Sequence, residues 1–169
     1  DCGYDGPTIL RRLKEDQHLG DGRPYTDFPF LRGDKIGPLW LRMLRDNARI
    51  DTIQNLESVP IPVDIHVARA SLCLGVVYGK YEGRLEDLFA DVRRAWAESV
   101  KGHSVDGRPM IALDVDEPLW HLSKFGCGRR NPGTGFCPLR GTCELGAFCV
   151  DGKVSINGQK VTLDTLAGR

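Results

Sequence analysis

The chain lacks a surplus of charge of either sign: Lys plus Arg number 23, and Asp plus Glu also 23. Net charge therefore points to no partner, and a nucleic-acid binder of this composition must gather its positive charge locally. No run of 18 apolar residues occurs and no signal peptide is visible, so no membrane partner is expected. No internal repeat and no low-complexity tract breaks up the chain. Its cysteines include no C-x2–4-C pair, the usual ligand pairing of zinc ribbons. The first residue is Asp1 rather than Met. The expectation is a sequence that begins partway through a longer protein.

What remains is an ordinary globular composition, 41% hydrophobic and 27% charged over 169 residues. That length suffices for one domain, or two small ones, with a real core. Six cysteines without a signal sequence fit a reducing compartment better than a disulfide scaffold. The expected location is cytoplasmic, in association with the nucleoid. Cys2 and Cys73 lie far from the others along the chain, and Cys73 in "SLCLGVV" reads as a small buried hydrophobe.

Helical spacing dominates the apolar pattern. "PTILRRLKED" (residues 7–16) reads as a short helix opened by Pro7 and is followed by the turn-rich "GDGRPYTDFP". "DKIGPLWLRMLRDNARI" (34–50) carries Ile36, Leu39, Trp40, Met43 and Leu44 on one face, with Pro38 in its first turn. "PVDIHVARASLCLGVVYG" (62–79) is an apolar helix ending near Gly79, and residues 83–100 form an amphipathic one. "ALDVDEPLWHLSKFG" leads as a helix into the cysteine segment, and "KVSINGQKVTL" forms a hairpin about Asn157-Gly158. The expected fold is mainly α, with a C-terminal four-cysteine loop and a small β-hairpin. Its expected divisions are a helical region over 1–60, a second over 61–150 that ends in the cysteine loop, and a hairpin tail over 151–169.

Three segments carry chemistry. Cys127, Cys137, Cys143 and Cys149, spaced C-x9-C-x5-C-x5-C, place four thiols within 23 positions. Such a set can surround one soft ion or an iron–sulfur cube. The wide spacings favour a [4Fe–4S] cluster; zinc is the alternative, and disulfides or unligated thiols remain open. Pro132, Gly133 and Gly135 allow the backbone to wrap tightly. From Leu119 to Thr142 the charged residues are Lys124, Arg129, Arg130 and Arg140, with no Asp or Glu. That is a local patch suited to phosphate, or simply a solvated loop.

In "FPFLRGDKIG" a turn containing Gly33 leads into a helix whose first amides can bind a backbone phosphate. Lys35 in that turn, with apolar neighbours following it, is either a surface charge or an amine nucleophile. In "PIPVDIHVARA", Asp64 opens a helix, where the dipole favours its carboxylate. It is a capping residue or a catalytic one. His66 reads as a structural or phosphate-facing side chain.

Taken in order, these segments resemble the helix-hairpin-helix DNA glycosylases, the superfamily of endonuclease III. The family pattern runs from "L-P-G-V-G-x-K" through a "V-D-T-H-V-x-R" helix start to a C-terminal four-cysteine loop. Here it appears as "FPFLRGDK", "VDIHVAR", "PLWHLSKFGC" and "CPLRGTC", covering roughly residues 28–150. Leu31 stands where the first family Gly would be, and only the last cysteine interval agrees with the family's spacing. The string "PIPVD" and the "D-x-x-x-W" formed by Asp116 and Trp120 are similar to the archaeal 8-oxoguanine glycosylases.

The resemblance implies a base-excision-repair DNA glycosylase and AP lyase, monomeric, acting on double-stranded DNA with a damaged base. Lys35 would be the nucleophile and Asp64 its partner. Arg32, Gly33, Arg129 and Arg130 would contact DNA, and Asp116 and Trp120 would line the base pocket. Cys127, Cys137, Cys143 and Cys149 would hold the [4Fe–4S] cluster. The alternatives are a monofunctional glycosylase that uses water, and a non-enzymatic iron–sulfur or zinc nucleic-acid-binding module.

Overall fold

A computed structural model describes residues 3–18, 20–25 and 27–166. Cys2, Thr26 of the turn-rich stretch and the last three residues of the expected tail lie outside the described residues.

Among the described residues five α-helices form within the segments of 3.6-residue spacing: α1 (Gly6–Lys14), α2 (Ile36–Asp46), α3 (Ile65–Cys73), α4 (Phe89–Ser99) and α5 (Asp116–Phe125). The helix expected over 83–100 begins only at Phe89, after a strand end at Arg84 and a 3₁₀ turn over Leu85–Leu88. Asp5 caps α1, its carboxylate accepting from the Thr8 amide at 2.8 Å, and Pro7 occupies the first turn. Helix α3 is shorter than the apolar run suggests. It ends at Cys73, and Gly75 takes a φ of +73° with Val150 packed against it, leaving no room for a Cβ.

The chain that leaves α3 becomes a strand, and this departs most from the sequence reading. Strand β3 (Lys80–Arg84) pairs antiparallel with β7 (Lys160–Thr165), which pairs in turn with β6 (Gly152–Asn157). The result is a three-stranded sheet in the order β3-β7-β6 rather than a lone hairpin. The molecule is accordingly a helical protein with a small antiparallel sheet, less purely α than expected. The connecting turn is Gly158–Gln159, one residue later than Asn157-Gly158, because Asn157 still pairs with Lys160. Gly158 supplies the positive φ needed at the first turn position. Two short ladders complete the strands: β1 (Gln17–His18) with β2 (Pro24–Tyr25), and β4 (Ser104–Val105) with β5 (Arg108–Pro109).

Two apolar clusters hold these elements. The larger joins α3, α4 and α5 to the sheet through Val67, Leu72, Leu85, Val92, Leu119, Val154, Val161 and Leu163, all buried. Val154, Val161 and Leu163 of the expected tail thus belong to the central core. The smaller cluster packs Leu41 of α2 with Ile53, Leu56, Val59 and Leu113, and with Ile9 and Leu10 of α1. The amino ends of α2 and α3 come from different clusters, and the candidate site lies where they meet.

Candidate active site

A 3₁₀ turn over Pro29–Leu31 precedes α2. Gly37 N–H closes onto the Gly33 carbonyl at 3.1 Å, and no side chain caps the helix. The position in this turn that demands glycine is Gly37, where a Cβ would meet the Leu31 carbonyl at 2.8 Å and Leu10 at 2.9 Å. Gly33 has open space around its would-be Cβ.

Lys35, at the mouth of α2, reaches Asp64 at the mouth of α3, with Nζ 3.2 Å from Oδ2. The carboxylate of Asp64 caps the helix and also faces Lys35. Oδ1 accepts from the His66 amide at 2.8 Å and the Val67 amide at 2.9 Å, while Oδ2 faces the amine. The helix therefore fixes the carboxylate's orientation, and the Lys35 side chain, 44% exposed, remains open to solvent.

These two groups line a cavity of about 260 Å³ together with Arg42, Asp116, Glu117 and Trp120. That is slightly below the roughly 300–1,000 Å³ of common ligand pockets. Asp116 and Trp120 lie one turn apart on α5 and so share a face. Asp116 is 6% exposed, and its carboxyl is pushed up to about 6 by burial, against the opposing pull of Arg42 and with further help from Asp64 and Glu117. Arg42 stands at its Oδ2 with Nε 2.9 Å away and reaches Glu117 at 2.9 Å. Trp120 packs against His66 at 5.5 Å between ring centroids and carries the Lys124 ammonium 4.4 Å from its own. His66, in contact with Trp120, has its Nδ1 3.4 Å from the Ser123 hydroxyl.

The sequence reading passed over Arg42. Lys35, Leu39 and Arg42 recur at spacings of four and three, so they occupy one face of the helix.

The arginines expected on phosphate divide. Arg32 is spent on the protein: its guanidinium donates to the Lys14 carbonyl at 2.5 Å and pairs with Asp16 at 2.7 Å, fastening the turn to the end of α1. Arg130 is 7% exposed and donates through Nη2 to the carbonyls of Val150 at 2.9 Å and Gly152 at 2.7 Å. It pins the cysteine loop to the start of β6 and is buried there. Arg129 is exposed and has no ion-pair partner among the described residues.

Between Asn131 and Leu145 no residue is buried, and the side chains turned partly inward are Cys137, Leu139 and Cys143. Cys127 and Cys149, at the ends, are buried. Cys149 lies within electrostatic reach of Cys127, Cys137 and Cys143, and burial pushes its thiol up. Cys73 joins this group: it is buried, as expected, but against Cys127, and their hydrogen bond together with burial holds the Cys127 thiol above its ordinary range. A long segment with so little apolar packing fits a crosslinking centre that gathers its thiols. As placed, no three His, Cys, Asp or Glu side chains among the described residues converge closely enough to hold a metal ion.

No family model, no curated protein and no solved structure matches this chain.

Proposed function

We propose that the chain is a DNA glycosylase with AP lyase activity that works from the Lys35–Asp64 pair. The observation that carries this reading is the 3.2 Å approach of an open amine to a helix-anchored carboxylate, in a cleft that also holds an aromatic face and a buried carboxyl. The same residues stand in the order that resembles the helix-hairpin-helix glycosylases.

A damaged nucleotide is rotated out of the duplex, its base entering the cleft and its sugar resting on Lys35. Trp120 offers a ring face to the base. Asp116 offers its edge an acceptor, or a donor when protonated, since its carboxyl titrates near 6. As the glycosidic bond lengthens, positive charge grows on the sugar, and the Asp64 carboxylate stabilises it from a fixed position. The Lys35 amine, after giving up a proton, bonds to C1′, and the base departs with the bonding pair and takes up a proton. Ring opening yields a Schiff base. Loss of a C2′ proton then breaks the C3′–oxygen bond and nicks the strand. Phosphate contacts fall to the amides around Gly33 and to Arg129, not to Arg32 or Arg130.

Cys127, Cys137, Cys143 and Cys149 would hold a [4Fe–4S] cluster, which would supply a structural crosslink to the loop carrying Arg129. Zinc is the alternative occupant.

Duplexes carrying 8-oxoguanine, thymine glycol, uracil or an abasic site test the reading. Base release with strand cleavage on at least one supports it. Salt-dependent binding without either product selects the non-enzymatic module, and base release without cleavage selects the monofunctional enzyme.

A further inference from the structure

Lys35 and Asp64 also line a second and larger cavity, about 680 Å³, on the side away from Trp120. Its far wall comes from elements outside the four quoted motifs: the 3₁₀ turn over Leu85–Leu88, helix α4 and the Gly158–Gln159 turn of the hairpin. The floor is apolar, with Val63, Ile65, Leu85 and Phe89.

Arg93 on α4 projects over this floor, its guanidinium carbon 5.9 Å from the Phe89 ring centroid. Each carboxylate of the cavity already has its own cation: Asp34 pairs with Lys14, Asp64 with Lys35, and Glu86 with Arg84. Arg93 has no ion pair among the described residues, and its buried Nε has no hydrogen-bond partner. Burial draws its pKa down, with the more distant Asp34 opposing. A half-buried cation with an unsatisfied donor, inside a cavity whose acids are taken, suits an incoming anion with several acceptor oxygens.

We propose that this cavity is a phosphodiester subsite, in which Arg93 takes a backbone phosphate next to the sugar held at Lys35 and Asp64. The assignment rests on the glycosylase reading for the identity of that sugar. The residues themselves require only an anion. Positions 33–35 and Arg93 then grip the strand from two sides of the reacting carbon, and the C-terminal hairpin acts as a wall of the site. Arg94, the next residue, is exposed and paired with Asp91, so it makes a matched control.

The test is binding to a duplex with a stable tetrahydrofuran abasic analogue, measured across a salt series for wild type, Arg93→Met, Arg93→Lys and Arg94→Met. Arg93→Met should bind about tenfold more weakly, with the slope of log K against log salt reduced by about one. Arg93→Lys should keep the slope and lose part of the affinity, and Arg94→Met should match wild type. Arg93→Met should also melt no lower than wild type, because an uncompensated cation has left the interior.

Unchanged affinity and slope in Arg93→Met overturn the subsite, whether or not wild type cleaves DNA. An Arg93-dependent slope without covalent trapping keeps the subsite and removes the catalytic reading instead. If wild type binds no duplex, and inorganic phosphate raises its melting temperature but not that of Arg93→Met, the cavity holds a free anion and the phosphodiester assignment is wrong.

Discussion

Asp64 divides its carboxylate between two tasks: Oδ1 caps α3 through the amides of His66 and Val67, and Oδ2 stands 3.2 Å from the Lys35 ammonium. A group that is both anchor and partner can be taken apart by substitution. Asp64→Asn keeps an acceptor for the cap and removes the charge. It should melt within about 0.5 kcal/mol of wild type, while Asp64→Ala loses about 1 kcal/mol, a typical N-cap value. Both should lose covalent chemistry. Thermal melts beside a cleavage assay check this, and full activity in Asp64→Asn would reduce Asp64 to a cap.

Asp116 gives the fold a pH dependence of unusual sign for a carboxylate. Its pKa is raised, from an ordinary 3.8 to about 6, so the folded state holds a proton that the unfolded state releases earlier. The stability linked to that proton is complete below pH 4 and is lost as pH rises through 6. Asp116→Asn does not titrate. Its stability relative to wild type should rise between pH 4 and 6 by about 3 kcal/mol at most, then level off. Denaturant melts at several pH values measure the difference, and a flat difference would show that Arg42 already compensates the charge.

Arg130 is expected to matter for the shape of the cysteine loop and not for DNA affinity. Arg130→Met removes two hydrogen bonds from a buried guanidinium to the carbonyls of Val150 and Gly152. The predicted loss is about 3 kcal/mol, together with faster proteolysis between Asn131 and Leu145. DNA binding by the folded variant should keep the wild-type salt slope. A reduced slope would return Arg130 to the interface.

Removal of the proposed metal centre should have the same local outcome. Anaerobically purified protein is expected to be brown, with iron and labile sulfide, and loss of the iron should expose Cys137 and Cys143 to alkylation first, because they are less buried than Cys127 and Cys149. A colourless protein with one zinc per chain would select the alternative occupant.

The sequence made the helices legible because their apolar spacing is local: Leu39, Trp40, Met43 and Leu44 mark one face of α2 without any knowledge of the rest. Asp64 was legible as a cap from its place before an apolar run, and the order of motifs set it beside Lys35. Strand β3 was not, since "KYEGR" offers only Tyr81 to an apolar face and is made a strand by pairing with β7, distant in sequence. The inward turn of Arg130 and the split between Arg93 and Arg94 were equally hidden. Adjacent arginines look alike until tertiary packing buries one and leaves the other in solvent.

The central claim is that the Lys35 amine forms a bond to deoxyribose under the guidance of Asp64. Borohydride reduction during incubation with a duplex that carries an abasic site captures such a bond as a stable protein–DNA adduct. The account predicts a trapped band for wild type and none for Lys35→Met, which melts normally. A band of undiminished strength in Lys35→Met would contradict it.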